Sequence, residues 1–167
     1  MKKVAIIGVG YLGQHHARIL SEFRDVELIG VVDSDIERAR HIATLYNTHP
    51  YTDMRDVLPY VDAVSIVTPT VTHFELCKEA ILAGKDVFVE KPITNNLDEA
   101  EELVRLSTEK GRILQVGHLE RYNPAYQRAK EFIKNPLYII GERLSPFSGR
   151  GIDVEITFDL MIHDIDI

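Results

Sequence analysis

The feature that most restricts this chain is a run of small residues between an apolar strand and a helix. Val4-Ala5-Ile6-Ile7 leads into Gly8-Val9-Gly10-Tyr11-Leu12-Gly13, and a helical period follows from Leu12 to Glu22. In G-x-G-x-x-G at such a turn, the first glycine permits the tight reversal and the second lets backbone approach a pyrophosphate. The third lets helix and strand pack closely. The helix that opens there points unpaired N–H groups and the positive end of its dipole at a phosphate. Glycine turns occur in many folds, so the spacing to the next acid matters. Asp33 stands twenty residues after Gly13, at the end of the second strand. A carboxylate there accepts hydrogen bonds from the adenosine ribose hydroxyls and repels a 2′-phosphate. Ser34 and Asp35 follow, and no Arg adjoins Asp33, so NAD is expected rather than NADP. The competing reading, glycines that serve only a turn and an acid that caps a helix, leaves the spacing on both sides without a cause.

The rest of the chain repeats this plan. Short β-branched runs alternate with segments of helical period, which predicts an α/β fold: a doubly wound parallel sheet of Rossmann type. Strands are expected at Lys3 to Gly8, Val26 to Asp33, near Pro50, Ala63 to Val67, Asp86 to Glu90 and Ile113 to Val116. Helices are expected at Leu12 to Glu22, Asp35 to Tyr46, Met54 to Leu58, Val71 to Ala83 and Leu97 to Lys110. Gly84 and Gly111 would stop the last two in left-handed caps, and Asn96 or Asn95 would start the last. Beyond Gly117 the character changes, with a helix near Pro124 to Lys134, a strand near Leu137 to Leu144, a Pro/Ser/Gly loop and an acidic, apolar tail. Residues 1–118 therefore read as one dinucleotide-binding domain and 119–167 as the start of another, ending inside an apolar period with no stop signal.

Charge and composition exclude several function classes. Nineteen basic against 26 acidic residues give a net charge of −7, without the basic footprint of a nucleic-acid binder. The longest apolar stretch, Val4 to Leu12, is far below the run of about 18 residues that a membrane span needs. Cys77 is the one cysteine; it has no disulfide partner and no metal-ligand spacing around it, so a reducing, cytoplasmic setting is expected.

Two further strand ends carry polar, Pro-containing turns: Thr68-Pro69 with His73 after the fourth strand, and Glu90-Lys91-Pro92 after the fifth. Pro92 restricts how Lys91 leaves its strand, and a lysine held there could meet a substrate hydroxyl and a nicotinamide together. A surface lysine before a turn is the plainer alternative. His73 could contact cofactor, cap the next helix or pack. His15, His16, His41 and His49 read as exposed or partly packed. Asp159 and His163, four apart, share a helix face. They could form a proton-accepting site tuned by the carboxylate, two ligands of a metal completed by Asp164, Asp166, His118 or Glu120, or an ordinary interior pair.

Taken together, the glycine turn, Asp33, T-P-x-x-x-H, Ala83-Gly84-Lys85, E-K-P and the Asp159/His163 pair resemble the glucose-fructose oxidoreductase and inositol dehydrogenase family, written Gfo/Idh/MocA. The resemblance spans the whole chain. It implies cofactor contacts from Gly8, Gly10, Tyr11, Leu12, Gly13, Asp33, Thr68, Pro69, His73, Glu90 and Lys91. It also implies a catalytic set of Lys91, Asp159 and His163, and substrate contacts from Lys91, Arg121, Tyr122 and His163, with no metal. His163 would take the hydroxyl proton, Asp159 would orient it, and Lys91 would stabilise charge on the same oxygen. Many members carry a glycine where this chain has Met161. The phrases His118 to Pro124, Phe147 to Gly151 and Leu160 to Asp166 look most like a branch that oxidises the 3-hydroxyl of UDP-N-acetylglucosamine for lipid A with an amide-linked 3-amino sugar. Members run to about twice this length, with a second-domain sheet that lines the substrate site and makes a homo-oligomer. The chain as given is therefore expected to bind cofactor but turn over poorly. A dinucleotide-sensing regulator on the same fold, and a semialdehyde or homoserine type dehydrogenase, are the rival readings.

Overall fold

The computed structural model describes residues 1–138, 140, 142 and 161–166. It divides into two compact units, Met1–Val116 and Gly117–Ile167. In the first unit six strands form one sheet: β1 Lys2–Ile7, β2 Val26–Val32, β3 His49–Tyr51, β4 Ala63–Ile66, β5 Asp86–Val89 and β6 Leu114–Val116. All pairings are parallel and the order is β3-β2-β1-β4-β5-β6. Strand order reverses between β1 and β4, which opens a crevice beyond their carboxyl ends.

The crossovers are α1 Gly13–Glu22, α2 Ile36–Leu45, α3 Met54–Val57, α4 His73–Leu82 and α5 Leu97–Lys110. Alternation along the strands sorts the core into two layers. Ile6 and Val31 join Ala17 of α1 and Ile42 and Ala43 of α2 on one face. Ala5, Ile7, Val64, Ile66, Val87 and Val89 join Val57, Cys77, Ala80, Ile81, Leu103 and Leu106 from α3, α4 and α5 on the other. Burial on both faces is why the central strands read as unbroken apolar runs.

Local signals set the ends. Asp35 caps α2, its Oδ1 accepting the Glu37 and Arg38 N–H groups at 3.1 and 3.2 Å. Asn96 caps α5 by accepting the Glu99 N–H, and Gly111 ends that helix at φ 62°. Gly84, at φ 76°, follows α4 in the same left-handed region. Pro50 falls in β3, at the sheet edge, where a residue without an N–H is tolerated.

The second unit holds a 3-10 turn at Leu119–Tyr122, α6 Pro124–Lys130 and α7 Ile162–Asp166. One expectation is corrected here. The helix near Pro124 does not reach Lys134. It buries no residue, and past Lys130 the chain closes on 3-10 type bonds, Phe132 N–H to the Ala129 carbonyl and Ile133 N–H to the Lys130 carbonyl. Without a packed face, a helix this short has little to extend it. The strand expected at Leu137 to Leu144 lies in part outside the described residues; among those described, Leu137 is exposed. No described helix is long and apolar enough to cross a membrane.

Candidate dinucleotide cleft

The cleft lies where the topology places it. Gly8, Gly10, Asp33, Ser34, Arg38, Val67, Thr68 and Pro69 line a cavity of about 800 Å³, which continues past Asp53, Arg55 and Glu75. The glycine turn is pinned from both neighbouring strands: the Gly8 N–H donates to the Val32 carbonyl and the Val67 N–H to the Ile7 carbonyl, each at 2.8 Å. The three glycines do different work. A Cβ on Gly8, at φ +87°, would lie 2.7 Å from the Val67 carbonyl oxygen, and one on Gly13 would lie 1.9 Å from that of Gly8. Those two serve turn and packing. A Cβ on Gly10 meets nothing within 4 Å, so the space in front of it is left for something other than protein.

Asp33 is buried at the end of β2 with three donors already on its carboxylate. Oδ2 accepts the Val9 N–H at 3.0 Å, while Oδ1 accepts the Asp35 N–H and an Arg38 guanidinium N–H, both at 3.0 Å. The acid therefore ties the glycine turn to β2 as well as facing the cleft. Arg38 corrects one step of the sequence reasoning. No Arg adjoins Asp33 in sequence, yet the first turn of α2 brings one onto its carboxylate. The signal was available: Asp35 as N-cap puts Arg38 three residues into the helix, within reach of the preceding strand end.

The remaining candidates separate. Thr68 and Pro69 line the cleft, with the Thr68 hydroxyl 2.7 Å from that of Thr72. Tyr11 and Leu12 are exposed at the start of α1. His73, expected to contact cofactor, cap a helix or pack, has a ring 1% exposed, its Nδ1 2.9 Å from the Pro92 carbonyl oxygen and its Nε2 2.9 Å from that of Thr68. It braces the two strand-end turns against each other from behind. Glu90 is likewise buried, its Oε1 3.2 Å from His16 Nε2. Lys91 stands half-buried at the end of β5.

In the second unit Arg121 grips Asp166 in a two-pronged ion pair, Nε to Oδ2 at 2.7 Å and Nη2 to Oδ1 at 2.5 Å. Hydrogen bonding from Arg121 holds the Asp166 carboxyl below its usual range, and the same contact raises Arg121. His118 Nδ1 lies 3.5 Å from Asp166 Oδ2. Arg121, expected to contact substrate, thus also clamps α7, the helix that carries His163. Tyr122 is exposed. Asp159 lies outside the described residues.

A glycine turn pinned at a switch point, an open pyrophosphate space and a ribose-facing acid define a dinucleotide-binding oxidoreductase fold, and the residues present fit that cofactor. The profile described as "Oxidoreductase family, NAD-binding Rossmann fold", GFO_IDH_MocA, matches residues 2–118. The chain belongs to this family, and NAD is the dinucleotide its fold holds. It is 39% identical to the UDP-N-acetylglucosamine 3-dehydrogenase of Acidithiobacillus ferrooxidans, over 99% of this chain and 52% of that protein. It is 34% identical to the scyllo-inositol 2-dehydrogenase (NAD(+)) of Bacillus subtilis over the same shares. Among solved structures, the Acidithiobacillus ferrooxidans enzyme superimposes with a TM-score of 0.91 at 38% identity, over 99% of this chain and 52% of the other. GenD2 from gentamicin A biosynthesis in complex with NAD gives 0.77 at 32%, over 78% and 38%. The chain thus spans about half the length of these relatives.

Proposed function

We propose that a protein carrying this chain as its cofactor half is an NAD-dependent dehydrogenase of a secondary hydroxyl on a nucleotide sugar, the 3-hydroxyl of UDP-N-acetylglucosamine, serving lipid A that contains a 3-amino sugar. The observation that carries this reading is the extent of one likeness. Identity of 39% to a UDP-N-acetylglucosamine 3-dehydrogenase runs over 99% of the chain, through the second unit as well as the first.

NAD, when bound, supplies the hydride acceptor. The chain's own residues supply the rest. The α1 N-terminus and Gly10 receive the pyrophosphate, and Asp33 takes the ribose hydroxyls. Lys91, at the end of β5, hydrogen-bonds the substrate oxygen and stabilises the charge that develops as its proton leaves. His163 accepts that proton, and Asp159, four residues earlier, orients the imidazole. Arg121 and Tyr122 contact substrate, and the grip of Arg121 on Asp166 fixes α7. The 167-residue chain binds cofactor with little turnover, since hydride transfer depends on near-attack alignment that a partial substrate site does not provide. The whole protein is a cytoplasmic homo-oligomer joined through the second-domain sheet.

The test follows absorbance at 340 nm with NAD and UDP-N-acetylglucosamine, scyllo-inositol or an amino-acid semialdehyde, using the protein at its relatives' length beside the 167-residue chain. Reduction with the nucleotide sugar alone, abolished by Lys91→Ala with NADH binding retained, is expected. Turnover of inositol or semialdehyde instead would overturn the substrate. Binding of NADH without turnover of any alcohol would favour a sensor.

A further inference from the structure

Ser65, His16 and Glu90 form a largely buried chain of contacts, in which the dehydrogenase reading gives Glu90 a cofactor contact and His16 and Ser65 no role. His16 lies in α1, one turn after the glycines; Ser65 is in the middle of β4; Glu90 immediately follows β5. His16 Nδ1 is 3.0 Å from Ser65 Oγ, and Nε2 is 3.2 Å from Glu90 Oε1. The second carboxylate oxygen of Glu90 accepts the backbone N–H of Lys91 at 3.3 Å. The Phe88 ring packs against the imidazole, centroids 5.6 Å apart. Strand alternation explains the convergence. Val64, Ile66, Val87 and Val89 enter the core beneath α3, α4 and α5, so Ser65, Phe88 and Glu90 project to the opposite face, where α1 lies.

Serine, histidine and glutamate in a row have the composition of a hydrolytic triad. Here the serine is 3% exposed inside a central strand, out of reach of any substrate carbonyl, so nucleophilic chemistry is excluded by access. What the row does is hold a carboxylate. A glutamate at 6% exposure needs a donor to remain in place, and His16 stands at that oxygen with its ring direction set by Ser65. The other oxygen holds the first peptide of the Lys91-Pro92 turn.

We propose that His16 and Ser65 are positioning residues for the nicotinamide half of the dinucleotide cleft: by holding Glu90 they fix the Glu90-Lys91-Pro92 turn at the end of β5. In a doubly wound sheet the dinucleotide straddles the switch point. Asp33, at the end of β2, marks the adenosine side, which leaves the β4–β5 side for the nicotinamide. The inference rests on the dinucleotide reading of the cleft.

The experiment titrates the 167-residue chain and its His16→Gln, Ser65→Ala and Glu90→Gln variants with NADH and with ADP-ribose, which has the adenosine and both phosphates but no nicotinamide. Circular dichroism melts confirm that each is folded. The expected result is ADP-ribose affinity within about twofold of the parent and NADH affinity weakened about tenfold or more in His16→Gln, with the smaller change in Ser65→Ala. Equal losses for both ligands, or no loss of NADH affinity, in folded variants would overturn the proposal. Should His16→Gln not fold, Ser65→Ala, which deletes a single hydroxyl, still decides it. A parent chain that binds neither ligand would remove the dinucleotide reading itself, and the inference with it.

Discussion

Alanine at Gly10 and alanine at Gly13 should have opposite consequences, although both positions belong to the same six-residue turn. A Cβ on Gly13 would stand 1.9 Å from the Gly8 carbonyl oxygen, where ordinary contact begins at 3.4 Å, so backbone must retreat by about 1.5 Å. Neither partner is a flexible side chain. Gly8 is also tied to Val32 through its N–H, so the shift would pass into the β1–β2 pairing. Overpacking of this kind costs about 3 kcal/mol or more, which in a domain of this size lowers Tm by roughly 6–12 °C. At Gly10 nothing lies within 4 Å and the backbone is outside the positive-φ region. Alanine there narrows the unfolded ensemble and should leave stability unchanged or raise it by about 0.5 kcal/mol. The space it fills is the approach to the pyrophosphate, so NADH affinity should fall about a hundredfold, equivalent to about 2.7 kcal/mol. Circular dichroism melts and calorimetric titration with NADH read the two effects separately. A Gly10→Ala chain that binds NADH like the parent, or a Gly13→Ala chain with the parent's Tm, would refute the division of labour among these glycines.

Three other outcomes are expected. Arg38→Ala removes the cation beside Asp33 and should weaken NADPH more than NADH, raising the discrimination between them about tenfold in paired titrations; unchanged or reduced discrimination would show that Arg38 does not touch the 2′ position. Asn96→Ala deletes the cap on the Glu99 N–H and should cost about 1 kcal/mol, read as a Tm lower by roughly 2–4 °C, and no change would sink the capping role. Burial pushes the Cys77 thiol from its ordinary 9.0 up to about 12. A group whose folded value is raised keeps its contribution below the unfolded value and loses it as pH climbs. Stability should therefore drop by up to about 1.4 kcal/mol per pH unit between 9 and about 12, a component that Cys77→Ala removes in urea titrations at pH 8 and 10; equal slopes in parent and variant would contradict it.

Much of the fold was legible because its signals are local or periodic. Apolar runs such as Val4 to Ile7 and Ala63 to Ile66 are strands buried on both faces, and Asn96 and Gly111 mark the ends of α5 by chemistry that acts within four residues. Two kinds of feature escaped. Contacts across long sequence separations have no local signature: nothing in Gly13-Gln14-His15-His16 indicates that the imidazole will meet Ser65, 49 positions on, and a serine inside an apolar strand gives only a hint that something polar must reach it. An element without a packed face was overextended, as with the helix from Pro124, because period suggests an element while burial decides whether it persists. The site showed the same division. The glycine turn and Asp33 follow from motif spacing; the burial of His73 and the turning of Arg121 onto Asp166 follow from partners that lie elsewhere in the chain.

Asp33 shows why a residue found by motif can still be misjudged in role. The motif assigns it one task, accepting the ribose hydroxyls. The structure gives it three donors, from Val9, Asp35 and Arg38, before any ligand arrives. A carboxylate offers about four acceptor sites, so about one is left for the ribose unless Arg38 swings away. Because Arg38 is half exposed on its helix, it is the donor that can leave at small cost, whereas Val9 and Asp35 are backbone. Replacing Asp33 would release the glycine turn from β2 at the same time as it removed the ribose contact, so a loss of binding in such a variant would not distinguish the two. Replacing Arg38 leaves both backbone bonds intact, and is for that reason the cleaner probe of what the acid does for the cofactor.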